Sequence, residues 1–540
     1  MKNAFLFNGL AITMIVITIS CRQTTKTTSE LNLDLQGSIN RTNIETFDSL
    51  AIDSFFAQFP NLQQYDQNVK LIYQKHQYHY IWSDTTGIIE FAQSLYGKIK
   101  SIASEGVYSS FPYIDKAEGI FEASTENTLS PTQTELMITN MFLFYSENVY
   151  KGLDDKTVAA TEWLLPKKQV SYRNMLDSVL LNPYFLEKPD SELFDQYFKL
   201  RNMLKKYREI QKKGGWKAIE WNAKVKSYKI GDTAQVIASV KERLVISEDL
   251  AVPDSSNLFN EALGEAIQQY QLRTGKNPKP VITKSLVDEM NIPVEERIEK
   301  IVVNMERCRW ISPELLKAKE FIFVNIPSYM LYFSRNGEMV FESPVVVGKE
   351  MSKTVIFSAN MSSIVFSPYW NVPNSIVEKE VKPGIKKDPN YLAKHNMEWV
   401  NGQVRQKPGK KNSLGLVKFL FPNINNIYLH DTPFKSHFAR EERAFSHGCI
   451  RVAKPRDLAV KIMENDTTWT PQKIDAAMNA GVEKWYSLKE KIPVYIGYFT
   501  AWVDDNGKVF FYDDVYRRDD SLFDIIIGNN QLAVEETTAE

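Results

Sequence analysis

Cysteine is scarce: Cys21, Cys308 and Cys449 are the only three in 540 residues. Three thiols make no disulfide framework, so stability has to come from packed cores and each cysteine needs its own explanation. An excess of one charge is also missing, with 65 basic residues against 66 acidic. That balance argues against a nucleic-acid-binding surface, and no nucleic acid is expected among the partners. The one basic cluster, KPGKK at 407–411, is short enough to be a solvated turn. No run of ~20 apolar residues occurs, so no permanent transmembrane helix is expected. ATP-site, flavin-site and other cofactor fingerprints are absent, and no Cys-x-x-Cys or His-x-x-x-His pair marks a metal site. The expectation is therefore no cofactor and no metal. His76 and His79, three apart without a third ligand, read as surface or packing histidines.

What is present is an ordinary globular composition, 43% hydrophobic and 24% charged, in a chain long enough for roughly two to four domains. Lys2, an apolar stretch at 10–19 and small Ser20 directly before Cys21 have the order of a secretory signal over 1–20. Cys21 then stands where a bacterial lipoprotein signal places its lipidated cysteine, although Thr18 occupies the usual leucine position. A polar, threonine-rich tether is expected over 21–43. These features predict an exported protein of the cell envelope, held to the inner or outer membrane by a lipid on Cys21.

Residues 44–226 read as a helical scaffold. Phe55, Phe56 and Phe59 fall at one-turn spacing, as do Leu136, Met141, Phe144 and Tyr145, and Leu193, Tyr197, Leu200 and Leu204 line another helix. Short helices separated by turns follow over 227–292, and a connecting helix over 293–318 carries Cys308, read as a small buried hydrophobe. From 319 to 525 the period becomes two, with Asn336-Gly337 and Asn506-Gly507 marking hairpins. A charged insertion, helical in texture over 376–400 and extending to about 411, interrupts this β region as lids and binding loops do. The acidic tail, 526–540, is expected to fray. The fold class is multidomain α+β, with an all-α N-terminal part and a mostly-β C-terminal part.

Chemistry concentrates in IYLHDTP (427–433) and FSHGCIRV (445–452). A cysteine attacks through its thiolate and needs a neighbour that takes its proton. His447 is two residues from Cys449 on a constrained link, whereas His430, at the end of a strand, can bring its ring against the sulfur. Strand alternation turns Asp431 away from His430, so a backbone carbonyl is the expected orienting group. Gly448 permits a tight turn, and the N–H groups of Gly448 and Cys449 are candidates for an oxyanion hole. Two other readings stay open: a buried cysteine beside a turn, and a zinc site made by Cys449, His447 and His430.

SHGCIRV after a strand ending in His-Asp-Thr-Pro resembles the catalytic domain of the YkuD-type L,D-transpeptidases. MERCRWISP (305–313), SPYWNVP (367–373), NSLGLVKF (412–419) and the closing YIGYFTAWVDDNGKVFFYDDVY are similar to the large periplasmic members, in the same order. The helices of 227–292, with Gln269-Tyr270-Gln271 in the middle one, resemble a small three-helix peptidoglycan-binding module, although Lys279-Pro280 replaces its usual Asp-Gly turn. The resemblance implies that Cys449 attacks a peptidoglycan stem with His430 as base, forms a thioester with release of D-alanine, and passes the acyl group to a second stem as a 3→3 cross-link. It implies that Ser446, His447 and Gly448 shape the turn and oxyanion site, that Arg451 braces the site or meets a substrate carboxylate, with bracing favoured, and that Tyr369, Trp370 and Asn371 line the donor groove. The insertion matches the family's capping subdomain. Water as acceptor would make a carboxypeptidase and a protein lysine would make an anchoring enzyme; a non-catalytic wall-binding scaffold is the reading from another class.

Overall fold

The computed structural model describes residues 45–122, 128–182, 193–252 and 256–538. Cys21 and the expected leader lie outside them, and with them the lipidation expectation. Among the described residues no helix is long and apolar enough to cross a membrane.

The N-terminal part is helical, as its periodicity predicts. Helix α1 (Leu50–Gln58) buries Ile52, Phe55 and Phe56 on one face, and α2 (Asp66–Lys75) and α3 (Glu90–Lys100) bury Val69, Ile72, Leu95 and Ile99 likewise. They surround α4 (Pro131–Ser146), which starts with a capping box between Ser130 and Gln133 and is buried all round from Glu135 onward. A helix apolar on every side belongs at the centre of its group. Glu135 is the charged residue among those α4 buries. Its carboxylate accepts the Ile81 N–H at 2.5 Å, the Trp82 N–H at 3.1 Å and the Tyr73 hydroxyl at 2.8 Å, while burial pushes its pKa up to about 7. His76 faces Asp177 at 3.3 Å rather than any metal partner.

Helix α5 (Asp195–Lys212) packs on the long connecting helix, so the next three helices, α6 (Gln235–Ile246), α7 (Glu261–Arg273) and α8 (Lys284–Met290), stand apart as a small module. Their core is separate and holds Ile237, Leu244, Leu263, Ile267, Tyr270 and Met290. The connecting helix α9 (Val294–Trp310) is buried along nearly its whole length, Cys308 included.

The β part begins with β1 (Glu320–Asn325), β2 (Met330–Arg335), β3 (Glu338–Gly348) and β4 (Phe357–Phe366). Asn336 and Gly337, both at positive φ, make the β2–β3 turn that the sequence announces. After the insertion come β8 (Val417–Leu420), β9 (Leu429–His430), β10 (Ala444–Ser446), β11 (Ile450–Val452) and β12 (Lys484–Gly497). Their order is β10-β3-β11-β9-β8-β4-β12-β1-β2, and β2 also pairs with β3, so eight strands close on themselves with β10 outside the ring.

The insertion differs from its expected helical texture. Its first half holds short helical turns, but Met397–Val400 and Gln403–Gln406 (β6 and β7) form a hairpin, and Trp370–Asn371 (β5) adds a third strand. Asn401 and Gly402, both at positive φ, form the two-residue turn. That Asn-Gly pair is the hairpin signal that the charged, helix-like stretch before it concealed. Val372, Val377, Val381 and Val404 give the insertion a small core of its own. The C-terminus departs too: a helix spans Asp519–Thr538 where a frayed tail was expected, and its Leu522 and Ile526 are buried in the main core.

Scaffold, connecting helix and closed sheet share that one main core, from Ile52 through Trp310 to Ile526. Polar stitches hold the seam. Gln196 pairs by its side-chain amide with the Val503 backbone at 2.7 and 3.0 Å, and buried Arg307 meets Asp519 at 2.7 Å.

Candidate active site

The reacting groups sit on two neighbouring strands. β9 and β11 run parallel, with Leu429 opposite Ile450 and His430 opposite Arg451, and the Ile450 N–H donates to the Tyr428 carbonyl at 3.1 Å. Leu429 and Ile450 are in the core. Alternation therefore puts Tyr428, His430, Cys449 and Arg451 together on the other face, with the thiol diagonal to the imidazole. The rings of Tyr428 and His430 are 5.7 Å apart.

His430 is buried, and its Nδ1 lies 2.5 Å from the Asp431 carbonyl oxygen. A carbonyl only accepts, so Nδ1 carries the proton and Nε2 is the basic nitrogen. The Asp431 carboxylate turns away, as alternation predicts, accepting from the Leu416 N–H at 2.8 Å and from Lys435 at 2.6 Å. Burial, aided by the Arg451 charge, pushes His430 down to about 3. The ring rests neutral.

Cys449 is half-buried, and its S–H donates to the Asn426 carbonyl at 3.6 Å. Burial pushes the thiol up, while hydrogen bonds from the Tyr428 backbone and side chain and the Arg451 charge pull it down. Among the described residues no hydrogen bond joins Cys449 to His430 or His447. The resting pair is thus a thiol and a neutral imidazole. Cys308, in contrast, is fully buried and its thiol is pushed far up by burial, so it is inert.

The turn before the nucleophile is held from behind. Gly448 has φ +113°, a conformation that costs a side-chain-bearing residue dearly. Its carbonyl accepts from Thr354 Oγ1 at 2.8 Å, and Thr354 Oγ1 accepts the Gly348 N–H at 2.9 Å. Tyr516 closes the network, donating to the Gly348 carbonyl at 2.7 Å and accepting the Thr354 N–H at 3.0 Å. Ser446, buried, accepts the Gly448 N–H at 3.1 Å and donates to the Cys449 carbonyl at 2.5 Å. That bond corrects one expectation: the Gly448 N–H is committed to Ser446 and is no oxyanion donor, which leaves the Cys449 N–H.

The other expected residues fall around this turn. His447 points outward, with Nε2 3.6 Å from Glu380 of the insertion. It links cap and turn and does not face the sulfur. Arg451 touches His437 Nδ1 with its Nη1 at 3.5 Å, its Nε is buried without a partner, and among the described residues no carboxylate pairs with it. Alternation turns its side chain to the reacting face. Tyr369 stacks under the Arg405 guanidinium at 4.2 Å, Trp370 packs on the insertion's core and reaches Tyr428 with its side chain, and Asn371 pairs with Arg405 in the insertion's sheet. They join the insertion to the sheet. On the far side, a cavity of about 530 Å³ is lined by Asn360, Asn423, Ile424, Asn425, Lys491 and Leu164 of the scaffold, one residue from the Asn426 carbonyl that holds the thiol.

Sequence reasoning missed Tyr428, Thr354, Tyr516 and His437. Alternation did place Tyr428 on the face of His430, which was the available signal; Thr354 and Tyr516 reach the turn only through the closed sheet.

Residues 319–496 match the L,D-transpeptidase catalytic domain family, and residues 67–204 match a scaffold domain family. A Haemophilus influenzae protein, provisionally named an L,D-transpeptidase, is 33% identical over 242 residues, which cover 41% of this chain and 48% of that protein. The match thus spans about half the length of this relative. An L,D-transpeptidase from Stackebrandtia nassauensis aligns at 13% identity and TM-score 0.23, over 50% of this chain and 94% of its own. L,D-transpeptidase 3 from Mycobacterium tuberculosis aligns at 15% identity and TM-score 0.18, over 33% of this chain and 61% of its own.

Proposed function

From a chain that carries a catalytic domain of the L,D-transpeptidase family with a scaffold domain upstream, we propose an enzyme that forms 3→3 cross-links in peptidoglycan through a Cys449 thioester. The observation that carries this reading is the face shared by Cys449 and His430, where a thiol lies diagonal to a buried, neutral imidazole with Nε2 free. His430 takes the thiol proton, and the sulfur attacks the carbonyl of the third residue of a donor stem. The tetrahedral oxygen is met by the Cys449 N–H. Collapse breaks the amide bond, and the terminal D-alanine leaves with the proton returned by His430. An amine of a second stem then attacks the thioester, and the thiol is regenerated.

Arg451, without an acidic partner, suits a stem carboxylate. Tyr369, Trp370 and Asn371 border the donor on the cap side. The layout of a scaffold domain upstream of the catalytic domain supports an amine acceptor over water, and cross-linking over L,D-carboxypeptidation. Peptidoglycan stems are the partners as donor and acceptor. The periplasm, with a membrane anchor through lipidated Cys21, is the proposed location on the strength of the leader pattern.

Intact-protein mass spectrometry of the purified chain with a disaccharide-tetrapeptide, beside Cys449→Ala, tests this. An adduct of the donor minus D-alanine, absent from the variant, is expected, with cross-linked dimer as product. Free tripeptide as sole product would move the assignment to a carboxypeptidase. No adduct and no product would sink the catalytic reading.

A further inference from the structure

We propose that Tyr428 is a further catalytic residue: facing Cys449 across the β9–β11 ladder, it holds the sulfur as it becomes a thiolate, and Trp370 fixes the phenol in place. The inference rests on Cys449 being the nucleophile, as proposed above.

The β9–β11 register, with Leu429 opposite Ile450, sets Tyr428 beside Cys449 on the same face. Its carbonyl takes the Ile450 N–H, which locks it beside Cys449, and its ring lies 5.7 Å from that of His430. Arg451 shares this face and its charge also pulls the thiol down, but it acts as a charge beside the sulfur, and the remaining donors are spent or misplaced. The Gly448 N–H goes to Ser446 Oγ, His447 turns to Glu380, and the Asn426 carbonyl can only accept. A thiolate formed in this half-buried place would otherwise lack part of its solvation. The interaction is felt from both partners. Burial and then the neighbouring thiol push the phenol far above its ordinary value, so it stays a donor, and Tyr428 pulls the thiol down against the push of burial.

Trp370 supplies the second contact of the phenol. Because Trp370 belongs to the insertion's sheet and packs on the insertion's core, the sulfur's surroundings are tied to the cap by one side chain. In the reaction the S–H proton passes to His430 Nε2, and the S–C bond forms as the carbonyl pair moves to oxygen. Tyr428 keeps its proton throughout; only its hydrogen bond shortens onto the developing charge.

The test is the rate of alkylation of Cys449 by iodoacetamide against pH, read at that residue by peptide mass spectrometry on the full chain. The thiolate is the species alkylated, so the midpoint reports the thiol. Tyr428→Phe is expected to move the midpoint up by about one pH unit, with roughly tenfold slower alkylation at neutral pH and an unchanged plateau at high pH. Trp370→Phe should move it the same way by less. Superimposed wild-type and Tyr428→Phe profiles would overturn the proposal, and an unmoved Trp370→Phe profile would overturn the orienting role. Should Tyr428→Phe not fold, 3,5-difluorotyrosine at 428, a stronger donor of the same shape, is expected to move the midpoint down; no movement overturns the proposal. Alkylation needs no peptidoglycan. A shift without muropeptide turnover would remove the proposed function alone, and turnover without a shift would remove this inference alone.

Discussion

His430 is a base that folding has made reluctant to hold a proton, and this has a signature in stability as well as in rate. Its folded value is about 3 against an ordinary 6.5. Between those values the unfolded chain binds a proton that the native ring refuses, so the native state loses stability as pH falls from 6.5 towards 3. The slope is about 1.4 kcal/mol per pH unit. Glu135 acts in the opposite sense, because its raised value costs stability as pH rises from 4.5 to about 7. The His430 contribution is therefore read as a difference: urea unfolding of wild type and His430→Asn should converge as pH falls from 6.5 to 4. Parallel curves would mean that the ring is hydrated in the native state. Thr354 makes a different prediction. Thr354→Val removes the hydroxyl that holds the Gly448 carbonyl, a loss of about 1 kcal/mol. It should lower kcat near fivefold with little change in KM, and Thr354→Ser should restore it. Equal losses from both substitutions would mean that packing, not the hydrogen bond, positions the turn.

Among the elements, the insertion is the most separable. It has its own four-valine core and a hairpin turned by Asn401 and Gly402, both left-handed. Asn401→Ala with Gly402→Ala should cost the hairpin about 2–3 kcal/mol. The expected result is faster hydrogen exchange over 397–406, a raised KM for the donor stem and an unchanged global unfolding midpoint. A lowered global midpoint would mean that the cap is part of the main cooperative unit. This hairpin also marks where the sequence was hard to read. The β2–β3 turn at Asn336-Gly337 was legible because alternating apolar residues flank it. The same dipeptide at 401–402 follows a charged, helix-like stretch, and its flanks, MEWV and QVRQ, carry too short an alternation to stand out from it. Cys449 and His430 were legible since their chemistry needs those residue types at those strand positions. Tyr428 was not, because a tyrosine on a strand is more often packing, and its role depends on a parallel partner strand.

At the scale of the whole molecule, the seam between helices and sheet was the least legible feature. The sequence suggested consecutive domains, but a contiguous core runs through both parts, since α9 is buried on the scaffold side and on the sheet side alike. No periodicity in one segment reveals which distant segment covers it. Arg307 and Asp519 lie buried in this seam. Arg307→Met strands the carboxylate and should cost about 3–5 kcal/mol. Calorimetry should show scaffold and sheet melting together at a lower temperature; a variant that melts in two steps would show that the seam is not cooperative. The separate core of residues around Tyr270 carries another consequence. A unit that closes its own interior can be exchanged between genes as a cassette, while a catalytic sheet that borrows its inner wall from a neighbour cannot. Recombination in this lineage should therefore have swapped or lost the module of α6 to α8 freely, and inherited scaffold and sheet as one piece.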